Sequence, residues 1–418
     1  MTDKKINLVV VEPNNSGGLV HFSYQLSNAL ANEGVDITLL TGTDYEMSAQ
    51  PRNFQIAKLM KLWENFDPDS SDTSIQQNPL KRIWRKAYWN TRRILRGVRL
   101  FYAWVNLTVY LFRKHPDIVQ FTRIRFPFEA FFVKYMRKQG LILTQICHEF
   151  EHRENSNKSL SVFERLSGNI YENFSAIFFL SNEVRNNFLK AFPSTQAGRT
   201  HVIPHGNSGW LLNLSAVSDV SLRKRYGLMY NERVVLFFGL LSPSKGLDDL
   251  LDAFVMVREL SDSKLIVAGY PTKRVNINGL MEKVNELGIA DRVIFDLRYI
   301  PLDEIRPLMN IASVVVYPYR SGTQSGALQT AYTFGRPVIV TSVGGLPEVV
   351  EDGKSGFVVP SRSPHDLAEK IIALINNPEK AEEMGKYALY LSETRFSWQP
   401  IATSIARVYE HLVEAKTG

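Results

Sequence analysis

Residues 317–348, YPYRSGTQSGALQTAYTFGRPVIVTSVGGLPE, are the most informative stretch of the chain. The β-branched run Val314 to Val316 ends at Pro318, and a loop of small polar residues leads into an apolar segment that begins near Ala327. Gly335-Arg336-Pro337 stops that segment, since proline has no N–H to continue a helix and glycine tolerates turn geometry. A second apolar run, Val338-Ile339-Val340, then leads into Gly344-Gly345. The pattern predicts strand, loop, helix, turn and strand. Thr323, Gln324, Ser325 and Gly326 fall where the new helix presents its unpaired N–H groups, an end that attracts anions, usually phosphate.

The same alternation extends in both directions. Strands are predicted at Val234 to Phe238, Lys264 to Ala268, Val293 to Phe295, Val314 to Tyr317, Val338 to Val340 and Gly356 to Val359, with helix-length segments between them. An earlier series has strands at Ile6 to Val11, Val35 to Leu40, Ile118 to Phe121, Leu141 to Cys147 and Ala176 to Leu180. Repeated βαβ units imply mostly parallel, doubly wound sheets. Two such series in 418 residues predict an α/β protein of two Rossmann-like lobes facing across a cleft, with ligands beyond the carboxyl ends of the strands. Residues 46–80 are polar and proline-punctuated, and read as a mobile insertion in the first lobe.

Hydrophobic content of 44% and charged content of 22% describe a soluble globular chain. The single cysteine, Cys147, excludes an internal disulfide and fits a reducing compartment. The apolar run near the start is short and reads as a first strand rather than a secretion signal, so a cytoplasmic location is predicted. Net charge is +7, but no acidic residue occurs between Asp72 and Asp117, where ten Lys and Arg lie. The basicity is therefore local, and the rest of the chain is slightly acidic.

Three loops are candidates for chemistry. Asn14-Asn15-Ser16-Gly17-Gly18 joins the first strand to the first helix, and its glycines allow close approach of a ligand at a helix start. It is not GxGxxG, so a dinucleotide site is poorly supported. Alone, such a loop is more often just a tight strand–helix turn. His148 follows the run Leu141 to Cys147 at a strand's carboxyl end, and no Cys/His spacing around it suggests zinc. Phe238-Gly239 to Lys245-Gly246 repeats the strand, loop and helix-start pattern, and Lys245 would set a compact positive charge there, or stand as an ordinary solvated lysine.

The Lys245-Gly246 pair, Ile203-Pro204-His205-Gly206, Gly335-Arg336-Pro337 and Gly344-Gly345-Leu346-Pro347-Glu348 together resemble the family-four retaining glycosyltransferases (glycosyl transferases group 1), which have the GT-B fold. The resemblance covers nearly all of 202–415 and is thin over 1–200. It implies an acceptor-binding domain at 1–205, a nucleotide-sugar-binding domain at 206–395, and a tail at 396–418 that crosses back, announced by Phe396-Ser397-Trp398. It also implies a sugar moved from a nucleotide-sugar donor to a glycan or lipid-linked acceptor in cell-surface glycan synthesis, with no metal or other cofactor. His148 and Lys245 become the catalytic candidates. Gly17, Gly18, Gly239, Lys245, Arg298, Gln324, Ser325, Gly326 and Thr330 become the donor-binding ones.

The chain departs from the family at two points. No arginine occurs from Gly239 to Ser244, where the family usually has one; Arg298 or Arg320 would have to replace it. The family's two glutamates, eight positions apart, fall on Gly322 and Thr330. Those departures motivate an alternative, a catalytically degenerate nucleotide-sugar-binding protein. A sugar-nucleotide epimerase is the weaker alternative, because no paired carboxylates with a histidine stand out in the second lobe.

The basic segment 81–112 has helical periodicity. Tyr88, Thr91, Leu95, Val98 and Tyr102 cluster around the direction of Trp84, with the arginines opposite. One reading packs the Trp84 stripe on the core and leaves the arginines in water. The other sets the basic face, through Arg85, Trp89, Arg92 and Arg96, against an anionic membrane on the inner face of the cytoplasmic membrane. No nucleic-acid motif accompanies the charge, which disfavours nucleic acid as a partner.

Overall fold

A computed structural model describes residues 5–60, 79–124, 128–148 and 170–417. In the first lobe the strands are β1 (Asn7–Val11), β2 (Asp36–Gly42), β3 (Gln55–Met60), β4 (Ile118–Phe121), β5 (Ile142–Cys147), β6 (Ala176–Phe179) and β7 (Thr200–Val202). Among the described residues, helices α1 (Gly18–Asn32), α2 (Pro79–Lys114), α3 (Glu129–Lys138) and α4 (Asn182–Ala191) flank them. The seven strands form one parallel sheet in the order β3-β2-β1-β4-β5-β6-β7. Runs such as Ala176 to Phe179 are buried throughout, as a parallel sheet covered on both faces requires. One face packs on α1, the other on α2, α3 and α4.

The second lobe holds α5 (Asp219–Arg225), β8 (Arg233–Phe238), α6 (Leu247–Leu260), β9 (Ser263–Ala268), α7 (Ile277–Glu286), β10 (Val293–Asp296) and α8 (Leu302–Ile311). It continues through β11 (Val314–Tyr317), α9 (Gly326–Thr333), β12 (Val338–Thr341), α10 (Leu346–Val349), β13 (Gly356–Val359), α11 (Pro364–Ile375) and α12 (Pro378–Glu393). Its six strands run in the order β10-β9-β8-β11-β12-β13, again all parallel. In each sheet the winding direction reverses once, between β1 and β4 and between β8 and β11. Such switch points leave a crevice beyond the strands' carboxyl ends.

The last helix, α13 (Trp398–Thr417), packs against α1 of the first lobe. Ile401, Ala402, Ile405, Ala406 and Tyr409 are buried in the same core as α1, and the Tyr409 hydroxyl donates to the Gln120 side chain. The chain thus passes between the lobes twice, and the two passages touch. Asn207 N–H donates to the Phe396 carbonyl at 2.8 Å, and Trp398 Nε1 donates to the Asn207 carbonyl at 2.8 Å. Gly206 is required here, because a Cβ would lie 2.2 Å from the Trp398 indole.

Two expectations need correction. The segment 46–80 is not a single insertion: Glu46–Ala49 is a 3₁₀ turn and Gln55–Met60 is the edge strand of the sheet, while 61–78 lie outside the described residues. On α2 the burial is also the reverse of the core-packing reading. Tyr88, Thr91, Leu95, Val98 and Tyr102 are exposed, and the helix enters the core through Leu100, Ala103, Trp104, Leu107 and Leu111. Those five lie on the side that carries the arginines one to four turns earlier, so the buried face is set by where the sheet ends, not by the charges.

Candidate active site between the lobes

In the second lobe the loops after β8 and β11 are locked together. Gly246, at φ +66°, lies so close to Pro318 that a Cβ would sit 1.9 Å from its carbonyl oxygen. Arg320 N–H donates to the Ser244 carbonyl at 2.8 Å. This contact brings Lys245 Nζ to 3.5 Å above the centre of the Tyr319 ring, a cation–π distance. The Tyr319 hydroxyl is 2.9 Å from Ser325 Oγ, which caps α9 by accepting from Leu328 N–H at 3.3 Å. A lysine, a tyrosine and a helix start therefore form one continuous patch at the switch point. Gly239, at φ +128°, shapes the base of the loop, and Gly326 lets the His205 ring approach α9, where a Cβ would meet Nε2 at 3.3 Å. Burial takes the His205 imidazole down to about 4, against the pull of its bond to the Gly206 carbonyl, so the ring is neutral at pH 7.

The remaining donor-side candidates are engaged within the protein. Arg298 binds Asp296 at 2.7 Å and also Glu304. Arg320 binds Asp249 at 2.6 Å and Asp248 at 3.7 Å. Either guanidinium would have to open an ion pair before meeting a phosphate. Thr330 is buried, with Oγ1 at 3.0 Å from Ser208 Oγ and donating to the Gly326 carbonyl at 3.2 Å. Gln324 Nε2 donates across the cleft to the Leu180 carbonyl and, within its own lobe, to the Gly345 carbonyl, each at 3.1 Å.

The first lobe answers with a different arrangement. Gly17, at φ +92°, donates its N–H to Glu46 Oε2 at 3.1 Å, and His21 Nε2 lies 3.0 Å from the same oxygen. Tyr299 of the second lobe donates its hydroxyl to Glu46 Oε1 at 2.7 Å. Burial alone would raise the Glu46 carboxyl. The bonds from His21, Tyr299 and Gly17 outweigh it and hold the group below its ordinary value, so it stays ionised. The anion position at the start of α1, assigned by sequence to a ligand through Gly17 and Gly18, is thus filled by the protein's own carboxylate. His148 packs edge-on against Phe22 at 4.8 Å, and its carbonyl accepts from Thr323 Oγ1 at 2.7 Å. On the far side, Glu348 accepts from Asn182 N–H at 2.9 Å and Glu183 N–H at 2.8 Å, capping α4 from the opposite lobe.

Glu46, His21, Tyr299 and Glu348 were not singled out as site residues from sequence. Glu46 and Tyr299 are 253 positions apart and share no motif, so no local signal joins them. Glu348 was visible only as the end of the Gly-Gly-x-Pro-Glu turn. Arg92 and Arg96 are half-buried on α2, whereas the side chains of Arg85 and Trp89 lie outside the described residues. Among the described residues, His365, Asp366 and Glu369 form the one grouping of potential metal ligands, on α11, a helix that supplies none of the cleft contacts above.

Two parallel Rossmann-like lobes that close on each other around two switch points define a class, and comparison with known proteins gives its family. Residues 16–207 match the family described as Glycosyltransferase Family 4, and residues 220–389 that described as Glycosyl transferases group 1. The chain belongs to this glycosyltransferase family, and its fold is GT-B. A Methanocaldococcus jannaschii protein named an uncharacterized glycosyltransferase is 32% identical over 189 residues, 44% of this chain and 51% of that one. The chain spans 51% to 65% of the length of the first curated relatives it matches. Sucrose-phosphate synthase from Thermosynechococcus elongatus superposes with a TM-score of 0.73 at 19% identity, covering 98% of this chain and 100% of that one. The Anabaena protein HepE, solved with UDP and glucose, gives 0.73 at 18% identity, covering 97% and 100%.

Proposed function

We propose that the protein is a retaining glycosyltransferase that moves a sugar from a nucleotide-sugar donor to a glycan or lipid-linked acceptor in cell-surface glycan assembly. The observation that carries this reading is the Lys245–Tyr319–Ser325 patch at the second lobe's switch point. It offers a cation and a helix start side by side, the combination a diphosphate requires. The anomeric C–O bond to the diphosphate would break as the acceptor oxygen bonds to the same carbon, and the acceptor's proton would leave with the diphosphate. Lys245 would stabilise the charge that develops on the leaving oxygens. His148 would face the reacting centre from the first lobe, and the acceptor would lie on that side. Metal-free transfer and attachment to the inner face of the cytoplasmic membrane belong to the same reading. The UDP held by HepE makes uridine the first donor nucleoside to try.

A non-catalytic nucleotide-sugar-binding protein is the second reading, favoured by the ion pairs of Arg298 and Arg320 and by Gly322 and Thr330 at the family's glutamate positions. Thermal unfolding with UDP, GDP, ADP and dTDP separately tests both. Stabilisation by one base, followed by transfer from its sugar nucleotides that Lys245→Ala abolishes, is the expected result. Stabilisation without transfer into lipid or polysaccharide extracts would favour the second reading, and no stabilisation at millimolar nucleotide would overturn both.

A further inference from the structure

We infer that the protein docks on anionic bilayers by inserting an apolar face built from two helices, α2 and α3, rather than by adsorbing through an arginine face. This deepens the membrane reading above and does not depend on the transfer reaction. Along α2, Tyr88 is 59% exposed, Leu95 54%, Val98 48%, Phe101 52% and Tyr102 64%. Tyr88, Leu95, Val98 and Tyr102 fall on one side of the helix, opposite the buried Leu100, Trp104, Leu107 and Leu111, and Phe101 lies on the flank between the two. The face continues onto α3. Phe132 touches Phe101 at 5.5 Å and Phe131 at 5.7 Å, and Phe131 is itself 71% exposed. Tyr135, 44% exposed, lies 5.7 Å from Phe112.

Exposed or half-buried cations lie on both helices. Arg92, Arg96 and Arg99 follow one edge of the α2 stripe, and the exposed Lys134 and Lys138 belong to α3. The only acidic residue of α3, Glu129, is buried and accepts from Trp104 Nε1 at 3.0 Å. Beside the stripe, a hollow of about 300 Å³ is lined by Tyr88, Thr91, Arg92, Leu95, Arg96 and Arg99. It combines guanidinium groups with apolar walls, which suits a lipid headgroup phosphate above the top of its chains. Exposed contiguous apolar surface of this kind marks an interaction site. Its occupant must also accept a dense positive border. That requirement disfavours a second copy of the chain, whose own Arg92, Arg96 and Arg99 would be brought face to face with these, and favours an anionic lipid surface. No described helix is long and apolar enough to cross a membrane, so α2 would lie in the interface plane.

The placement gives the docking face a purpose. α2 has 36 residues, about 54 Å, and returns to the sheet through a short link before β4, so its last turns lie along the strands. Strands of three to seven residues are far shorter, and its first half therefore projects past their carboxyl ends, on the side where the cleft opens. Docking by this face would hold the cleft's first-lobe wall beside a bilayer.

The test is sedimentation of the full chain with phosphatidylcholine vesicles, with and without phosphatidylglycerol. Two variants are compared: Leu95→Ser/Phe101→Ser/Phe131→Ser, and Arg92→Gln/Arg96→Gln/Arg99→Gln. All six positions are at least partly exposed, and unchanged melting temperatures would verify folding. Wild type should bind only the anionic vesicles. Each lost arginine should weaken binding about fivefold, and the apolar variant should lose at least about tenfold at low salt. Wild-type binding that vanishes with the arginines yet is untouched by the apolar variant would overturn insertion and leave adsorption through charge. No binding to anionic vesicles would overturn membrane attachment altogether, with nucleotide binding and transfer still measurable in solution. A wild-type dimer that the apolar variant dissolves would also overturn the inference, by assigning the face to a second copy.

Discussion

At the start of α1 the helix end meets the Glu46 carboxylate, received by Gly17 N–H, His21 and Tyr299. At the start of α9 the cap is a neutral hydroxyl, Ser325, and the nearest described charge in that chain of contacts is Lys245 over Tyr319. Both ends belong to the same local construction, a parallel strand, a glycine-bearing loop and a helix, and both face one cleft. One meets an internal anion, and at the other none occurs among the described residues. Identical backbone motifs therefore do not make identical sites, and the side chain that meets the helix end sets the charge that end presents to the cleft. The first lobe's carboxylate also ties the lobes together, so its anion is a structural link between domains.

The largest expected effect comes from removing the cation that sets the lobes apart. Lys245→Ala should lower the transfer rate by about 10²- to 10³-fold, as loss of a leaving-group stabiliser does elsewhere, with little change in melting temperature. Steady-state kinetics with the donor identified by thermal shift would check it. Next, Ser325→Asp would give the second lobe an anion like that of the first. Aspartate caps helices as well as serine does, so stability should hold while nucleotide affinity falls by about tenfold or more. Nucleotide binding undiminished in that variant would remove the phosphate from the start of α9.

Tyr299→Phe tests the link from the other side. Loss of one charge-assisted hydrogen bond should cost about 1 to 3 kcal/mol of interlobe stability, seen as a larger radius of gyration in small-angle scattering of the nucleotide-free protein. The smallest effect concerns pH. The Arg225 bond, against the cost of burial, and the Arg298 bond take the Glu304 carboxyl down to about 2. A depressed carboxylate contributes stability above its ordinary value near 4.5 that is lost as pH falls toward 2. Glu304→Gln should therefore flatten the acid limb of the stability curve in that window, and thermal melts from pH 5 to pH 2.5 would show it.

The strands of both sheets were legible because buried parallel strands are written as continuous apolar runs, Leu8 to Val11 or Val314 to Val316, between glycine and proline signals. β3 was not, since Gln55 to Lys58 is only partly buried on an edge and carries no such run. The loop residues of the second lobe were legible from their order along the chain, because Lys245 and the Thr323 to Gly326 loop flank one switch point. Glu46 and Tyr299 were illegible for the opposite reason: their meeting depends on how two separately folded lobes close. For α2, periodicity separated an apolar from a basic side but carried no information on which side met the sheet. Charge argued for the Trp84 stripe inward, and packing at Leu100 and Trp104 left Leu95, Val98 and Tyr102 of that stripe exposed instead.

The contact of Gly206 with Trp398 has a mechanical consequence. Because the outgoing and returning chain passages press on each other where Gly206 meets Trp398, the two covalent connections between the lobes form one joint rather than two. Residues 398–417 ride with the first lobe although they follow the second in sequence. A fluorophore near the C-terminus therefore reports the position of the first lobe, and paired with one on α11 it forms a ruler for cleft closure that needs no label inside the cleft.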